Sequence, residues 1–128
     1  MAENPEDQQT ETTKPNLGFP KSMHLRKRGD FDRVFAQKHS QADRVLVIYG
    51  MANGLSASRL GLVVSKKLGK ANCRNRWKRL IREVFRLEQS NFPIPVDLVI
   101  IPRHGVEPDF QTIRHSLIKL VRKYMTKI

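Results

Sequence analysis

Residues 66–86 hold nine basic side chains and a single acid, Glu83. Lysine and arginine at this density suit phosphate, as point charges or, for arginine, through a two-pronged hydrogen-bonding fork. The ordinary alternative is a solvated helix face. A solvated face mixes signs to gain pairs one turn apart, and here only Glu83 lies between Arg79 and Arg86. Lys70, Arg74 and Arg76 also crowd the start of a predicted helix, where the macrodipole is already positive. Each cation there costs roughly 0.3–1 kcal/mol in the free protein, and a bound phosphate removes that penalty. The pattern points to nucleic acid without choosing between DNA and RNA.

A second group is aromatic. Phe31 and Phe35 sit at helical spacing and Tyr49 lies on a predicted strand. Core packing is the ordinary reading of such rings. Gly61 and Ser65, on the small polar face of a second strand, are expected to leave a trough beside the strand of Tyr49. Arg44, Arg59 and Lys66 stand at its ends. Single-stranded nucleic acid would suit such a trough, with bases on the rings and phosphates on the cations.

Other chemistries lack their residues. His24, His39, His104 and His115 show no metal-ligand spacing. Asp30 and Asp32 read as helix-start residues, with Asp30 as the cap, and not as the tight carboxylate set of a two-metal nuclease. Gly69-Lys70 lacks the upstream glycine of a phosphate-binding loop, because position 64 is valine. Cys73 falls on an apolar helix face and is expected to pack.

The elements that must position these groups follow from periodicity. A short helix carries Phe31, Val34 and Phe35 on one stripe. Residues 43–52 are apolar on both faces and read as a central strand. Asn53-Gly54 signals a turn, and residues 59–66 form a second strand, expected to close an antiparallel hairpin with the first. The basic helix is predicted from 73 to about 89, capped by Asn72. Cys73, Trp77, Leu80, Ile81, Val84 and Leu87 lie on its inner side, and Asn75, Lys78, Arg79, Arg82 and Arg86 on its outer side. Residues 96–101 read as a third strand. Pro108 and Asp109 start a last helix, and there is room for a short extra strand near Ser40.

Composition bounds the rest. The 128 residues contain 24 Lys and Arg against 12 Asp and Glu, a formal charge of +12. Residues 1–16 hold four of the acids and one base, which leaves +15 on the other 112 residues. A surface so charged repels itself unless a polyanion neutralises it. Residues 1–20 are expected to be a disordered acidic tail, and residues 21–128 a single domain that binds nucleic acid. One cysteine cannot form an internal disulfide or a zinc site. The longest apolar runs are too short to span a bilayer, and the acidic start is no secretory signal, so a cytoplasmic protein is expected.

Residues 60–85, LGLVVSKKLGKANCRNRWKRLIREVF, resemble the protein component of bacterial ribonuclease P. The resemblance is carried by Arg74-Asn75-Arg76 with Lys78, Arg79 and Arg82 behind it, and by the upstream residues 64–69. It extends to Leu25-Arg26-Lys27 and to Asp30, Phe31, Val34 and Phe35, and covers about residues 23–125. The acidic tail, Trp77 and Asn72-Cys73 depart from the pattern, and none of these replaces a charged position.

This resemblance implies an α+β two-layer sandwich of order αβββαβα. It has a small mixed sheet, a left-handed split βαβ crossover and a ribosomal-protein-like fold. About 98% of such crossovers are right-handed, so the left hand is implied by the family alone. The resemblance further implies one subunit of a ribonucleoprotein endoribonuclease. Its catalytic RNA, with bound Mg²⁺, removes the 5′ leader of precursor tRNA. No protein catalytic residue and no ion held tightly by the protein are expected. Lys66, Lys67, Lys70, Arg74, Asn75, Arg76, Lys78, Arg79 and Arg82 would grip the catalytic RNA. Phe31, Phe35, Arg44, Tyr49, Arg59 and Ser65 would line the leader cleft of a protein monomeric in the holoenzyme. A ribosomal or other structural RNA-binding protein without a role in cleavage is the alternative. A nuclease acting without an RNA subunit is a third possibility.

Overall fold

The structure, a computed structural model, describes residues 21–127. The expected acidic tail lies outside the described residues. The elements are α1 (Arg28–Ala36), β1 (Ser40–Ala42), β2 (Leu46–Ala52), β3 (Arg59–Leu62), α2 (Ala71–Glu88), β4 (Val96–Pro102) and α3 (Phe110–Met125). This is the expected order αβββαβα. The four strands form one mixed sheet in the order β1-β2-β4-β3.

β4 sits inside the sheet because its sequence leaves it no other place. Val96, Leu98, Val99 and Ile100 are all fully buried, and such a two-sided apolar strand needs a neighbour on each edge and a layer on each face. It pairs antiparallel with β2 (Tyr49 opposite Val99) and parallel with β3 (Gly61 opposite Val99). β3, α2 and β4 therefore make a βαβ unit, but not the split one expected, because β3 pairs directly with β4 and no strand stands between them.

The expected β2–β3 hairpin does not form. The turn at Asn53-Gly54 exists: Gly54 has φ +67°, a left-handed conformation that favours glycine, and the Asn53 side-chain oxygen accepts from Leu55 N–H at 2.8 Å. It leads the chain across the end of β4 instead of back along β2. Asn53 N–H donates to the Pro95 carbonyl (3.2 Å), and Val96 N–H donates to the Ser58 hydroxyl (3.0 Å). β4 takes the place beside β2 that β3 would have filled. β3 is also shorter than expected. Only Val63 N–H, donating to Ile100 at 3.1 Å, continues its ladder, and Ser65 already precedes a 3-10 turn at Lys66–Leu68.

The two sheet faces bury different clusters. Leu46, Ile48, Leu60, Leu98 and Ile100 face α2 and α3, which contribute Trp77, Ile81, Val84, Phe85, Ile113, Leu117, Leu120 and Tyr124. On α2 the buried stripe is Trp77, Ile81, Val84, Phe85 and Glu88. Leu87, expected inside, is 45% exposed, because its angular position falls off that stripe. The other face carries Tyr49, Met51, Val99 and Ile101 and is covered by α1 through Phe31, Val34 and Phe35.

Helix starts also differ from the sequence reading. α1 begins at Arg28, so Asp30 lies in its first turn and binds Arg33 instead of capping. α2 begins at Ala71 with Lys70 as the flanking residue, and the Asn72 side chain accepts from Cys73 N–H. α3 starts as expected: the Asp109 carboxylate accepts from Thr112 N–H at 2.9 Å.

Candidate nucleic-acid interface

The basic run occupies the 3-10 turn Lys66–Leu68 and the outer side of α2. Lys66, Lys67, Lys70, Asn75, Arg76 and Arg79 are exposed, and Arg74, Lys78 and Arg82 are half-buried along one stripe beside the core. All nine residues expected to grip RNA thus lie on this turn, on α2 or at its flanking residue, and none of them is fully buried. No acid stands in the first turn of α2 to offset the macrodipole. Arg74 instead turns its Nε toward the Gly69 carbonyl (3.2 Å). Gly69 itself adopts φ +113°, which lets the chain swing into the helix.

Arg82 stands apart from its neighbours. Its Nε is buried and has no hydrogen-bond partner among the described residues, and burial lowers its pKa below the ordinary guanidinium value. A desolvated guanidinium N–H without an acceptor is unfavourable in the free protein and is satisfied by an incoming anion. Farther along, Arg86 is held by Glu83 in a two-pronged pair at 2.6 and 3.1 Å, so it is less available to a phosphate.

On the opposite face of the sheet, α1 crosses from β3 to β2. Phe31 sits on Gly61 so closely that a Cβ there would meet the ring at 2.7 Å. Gly61 is therefore the seat of Phe31, and the open trough expected above it is filled. Phe35 meets Tyr49 edge-to-face, with ring centroids 4.8 Å apart. Phe31, Phe35 and Tyr49 are all half-buried, so each packs and each still presents part of its ring. On the same face Val47 pairs with Ile101 and Tyr49 with Val99, and Val47, Tyr49 and Ile101 are half-buried while Val63 is exposed.

Arg59 closes one end of that face. Its guanidinium holds the fully buried Asp97 through Nε (2.8 Å) and a terminal nitrogen (2.6 Å), and Asn53 donates to the same carboxylate at 2.9 Å. The bond to Asp97 raises the Arg59 pKa further, so this cation is permanent and fixed in direction. Sequence reasoning missed Asp97, although a lone acid inside an apolar strand signals a buried partner. Ser65 is exposed at the opposite end of the β3 segment. Arg44 is not with the others: it stands in the bend after β1 and lines a groove against α3. Among the described residues no three His, Cys, Asp or Glu side chains come together as metal ligands. No described helix is long and apolar enough to cross a membrane.

The sequence profile of the Ribonuclease P family matches residues 19–125. The ribonuclease P protein component of Caldanaerobacter subterraneus is 43% identical over 104 residues, covering 80% of this chain and 90% of that one. The Thermotoga maritima protein of the same name is 37% identical over 110 residues, covering 82% and 94%. Among solved structures, the Staphylococcus aureus RNase P protein superposes with a TM-score of 0.71 at 35% identity, covering 80% of this chain and 95% of that one. The RNase P protein from Thermotoga maritima gives 0.70 at 38% identity, covering 78% and 96%.

Proposed function

The chain belongs to the ribonuclease P protein family, and from that premise we propose how its two faces divide the work of a tRNA-processing subunit. The outer side of α2 grips the catalytic RNA of the enzyme. The α1 cleft, on the other face of the sheet, receives the 5′ leader of precursor tRNA. The observation that carries the reading is Arg82, whose buried, unpartnered Nε sits in a basic stripe with no first-turn acid. A phosphate backbone laid along this stripe can place one phosphate at the helix start and another, roughly 16 Å farther along, at Arg82.

Hydrolysis belongs, in this reading, to the RNA and the Mg²⁺ it carries, which supplies charge stabilisation at the reacting phosphate. The described residues gather no carboxylate set suited to such an ion. The protein contributes positioning and charge neutralisation. Arg59, fixed by Asp97, offers a directed cation at one end of the cleft, and Phe35 and Tyr49 offer partly open rings to the leader bases.

The test separates substrate site from packing. Phe35→Leu and Tyr49→Leu keep most of the apolar volume and remove the ring. Stacking is worth roughly 1–3 kcal/mol per base, so the reconstituted enzyme should bind precursor tRNA about fivefold or more less tightly. Its affinity for mature tRNA, which has no leader, should be unchanged. Folded variants that discriminate precursor from mature tRNA as well as the parent would assign these rings to the core alone. Cleavage of precursor tRNA by the protein without the catalytic RNA would remove the reading altogether.

A further inference from the structure

α2 packs toward β3, at one side of the sheet, and α3 toward β1 and β2, at the other. On that far side, between α3 and the bend after β1, lies a groove of about 800 Å³. Arg44, His115, Lys119 and Arg122 line it, with Lys123 at its end. His115, Lys119 and Arg122 recur at i, i+4 and i+7 and so share one stripe of α3. α3 contains no acidic residue at all.

Among the described residues the one carboxylate lining the groove is Asp43, and it is already engaged. It accepts from Val45 N–H (2.8 Å), Leu46 N–H (2.9 Å), the Ser116 hydroxyl (2.7 Å) and the Lys119 ammonium (3.0 Å). Arg103 adds another cation by donating to the Asp43 carbonyl at 3.0 Å. Arg44 and Arg122 are exposed and take part in no ion pair among the described residues. The helix dipole explains cations in the last turn of α3, but not Arg44 and Arg103, which reach the same place from the sheet. No Phe, Tyr or Trp lines the groove, so it offers charge without a platform for bases.

We propose that this groove is a second RNA contact, binding the phosphate backbone of a strand without reading its bases, so that the protein holds RNA at both edges of its sheet. The inference rests on the ribonuclease P reading above. Two strands could supply the backbone: the catalytic RNA itself, or the body of the tRNA substrate.

The experiment uses the reconstituted enzyme with the double variant Arg44→Gln/Arg122→Gln. Both side chains are exposed and have no ion-pair partner among the described residues, and Lys119 is left in place to hold Asp43. Protein binding to the catalytic RNA, and enzyme binding to precursor and mature tRNA, are measured across a salt series. Two lost phosphate contacts should flatten the slope of log K against log salt by roughly 1.4–1.8. Flattening in the protein–RNA arm assigns the strand to the catalytic RNA. Flattening confined to the tRNA arm, equal for precursor and mature forms, assigns it to the tRNA body. Unchanged slopes in both arms, with normal cleavage by the parent enzyme, would overturn the groove and leave the family role standing. A parent protein that fails to support cleavage in the same assay would instead overturn the reading on which the groove rests.

Discussion

Asp43 and Asp97 are carboxylates that organise cations, and each answers to a different measurement. Burial alone would raise the pKa of Asp43. The donors from Leu46, Ser116, Val45 and Lys119 outweigh that and hold it at about 2, against an ordinary 3.8. The folded-state value is depressed, so the stabilisation is full above pH 3.8 and is lost as pH falls toward 2. The shift corresponds to about 2 kcal/mol. Urea denaturation between pH 6 and pH 2 should show the parent losing about 2 kcal/mol more than Asp43→Asn, which has no proton to gain. Parallel pH curves for the two proteins would show that the carboxylate's charge is not what its four donors hold. Asp97 shows how far single residues were legible. The sequence marks it as an acid in an apolar strand, and marks Arg59 as a cation at the end of the cleft. Their pairing depends on β3 lying beside β4, which no local pattern reveals. Gly61 was likewise singled out as small, but only the packing of α1 shows that its smallness accommodates a ring.

At the level of elements, α2 was the most legible, because an 18-residue helix repeats its period often enough to declare which side is charged. Its cost to the free protein is also testable. Cations at an uncompensated helix start, with Arg82 lacking an acceptor, should make the isolated protein respond to small divalent oxyanions. Sulfate at about ten times its dissociation constant should stabilise by roughly 1.4 kcal/mol, a rise of several degrees in Tm. Sodium chloride at matched ionic strength should do less. Equal rises in the two salts would mean general screening and no anion site on α2. The strands were less legible than the helices. The sequence marks each within a few residues, yet the hairpin it suggests between β2 and β3 gives way to a sheet in which β4 lies between them. A turn signal between two apolar runs states only that the chain reverses direction. It does not state whether another strand will come between them.

For the whole molecule, composition already told that a polyanion must be near, since a +12 chain keeps its like charges together at some expense. What composition could not tell is that the charge divides between two edges of one sheet, because that depends on which helix packs over which strand. The position of β4 has a further consequence, for the order in which the chain can become a protein. The last strand to be synthesised is the one that lies between β2 and β3, with Arg59 waiting 38 residues for Asp97. A chain still on the ribosome and stopped before Val96 can pair β1 with β2, but β3 has no strand to join and α2 has no complete sheet to cover. A released fragment ending at residue 92 should therefore be cut readily by protease within residues 59–90, and the full chain should resist. Protection of that segment in the fragment would mean that α2 and β3 form a structured unit by themselves. A stop codon ahead of Val96 therefore removes the sheet that every helix packs on, and not merely one strand and the helix after it.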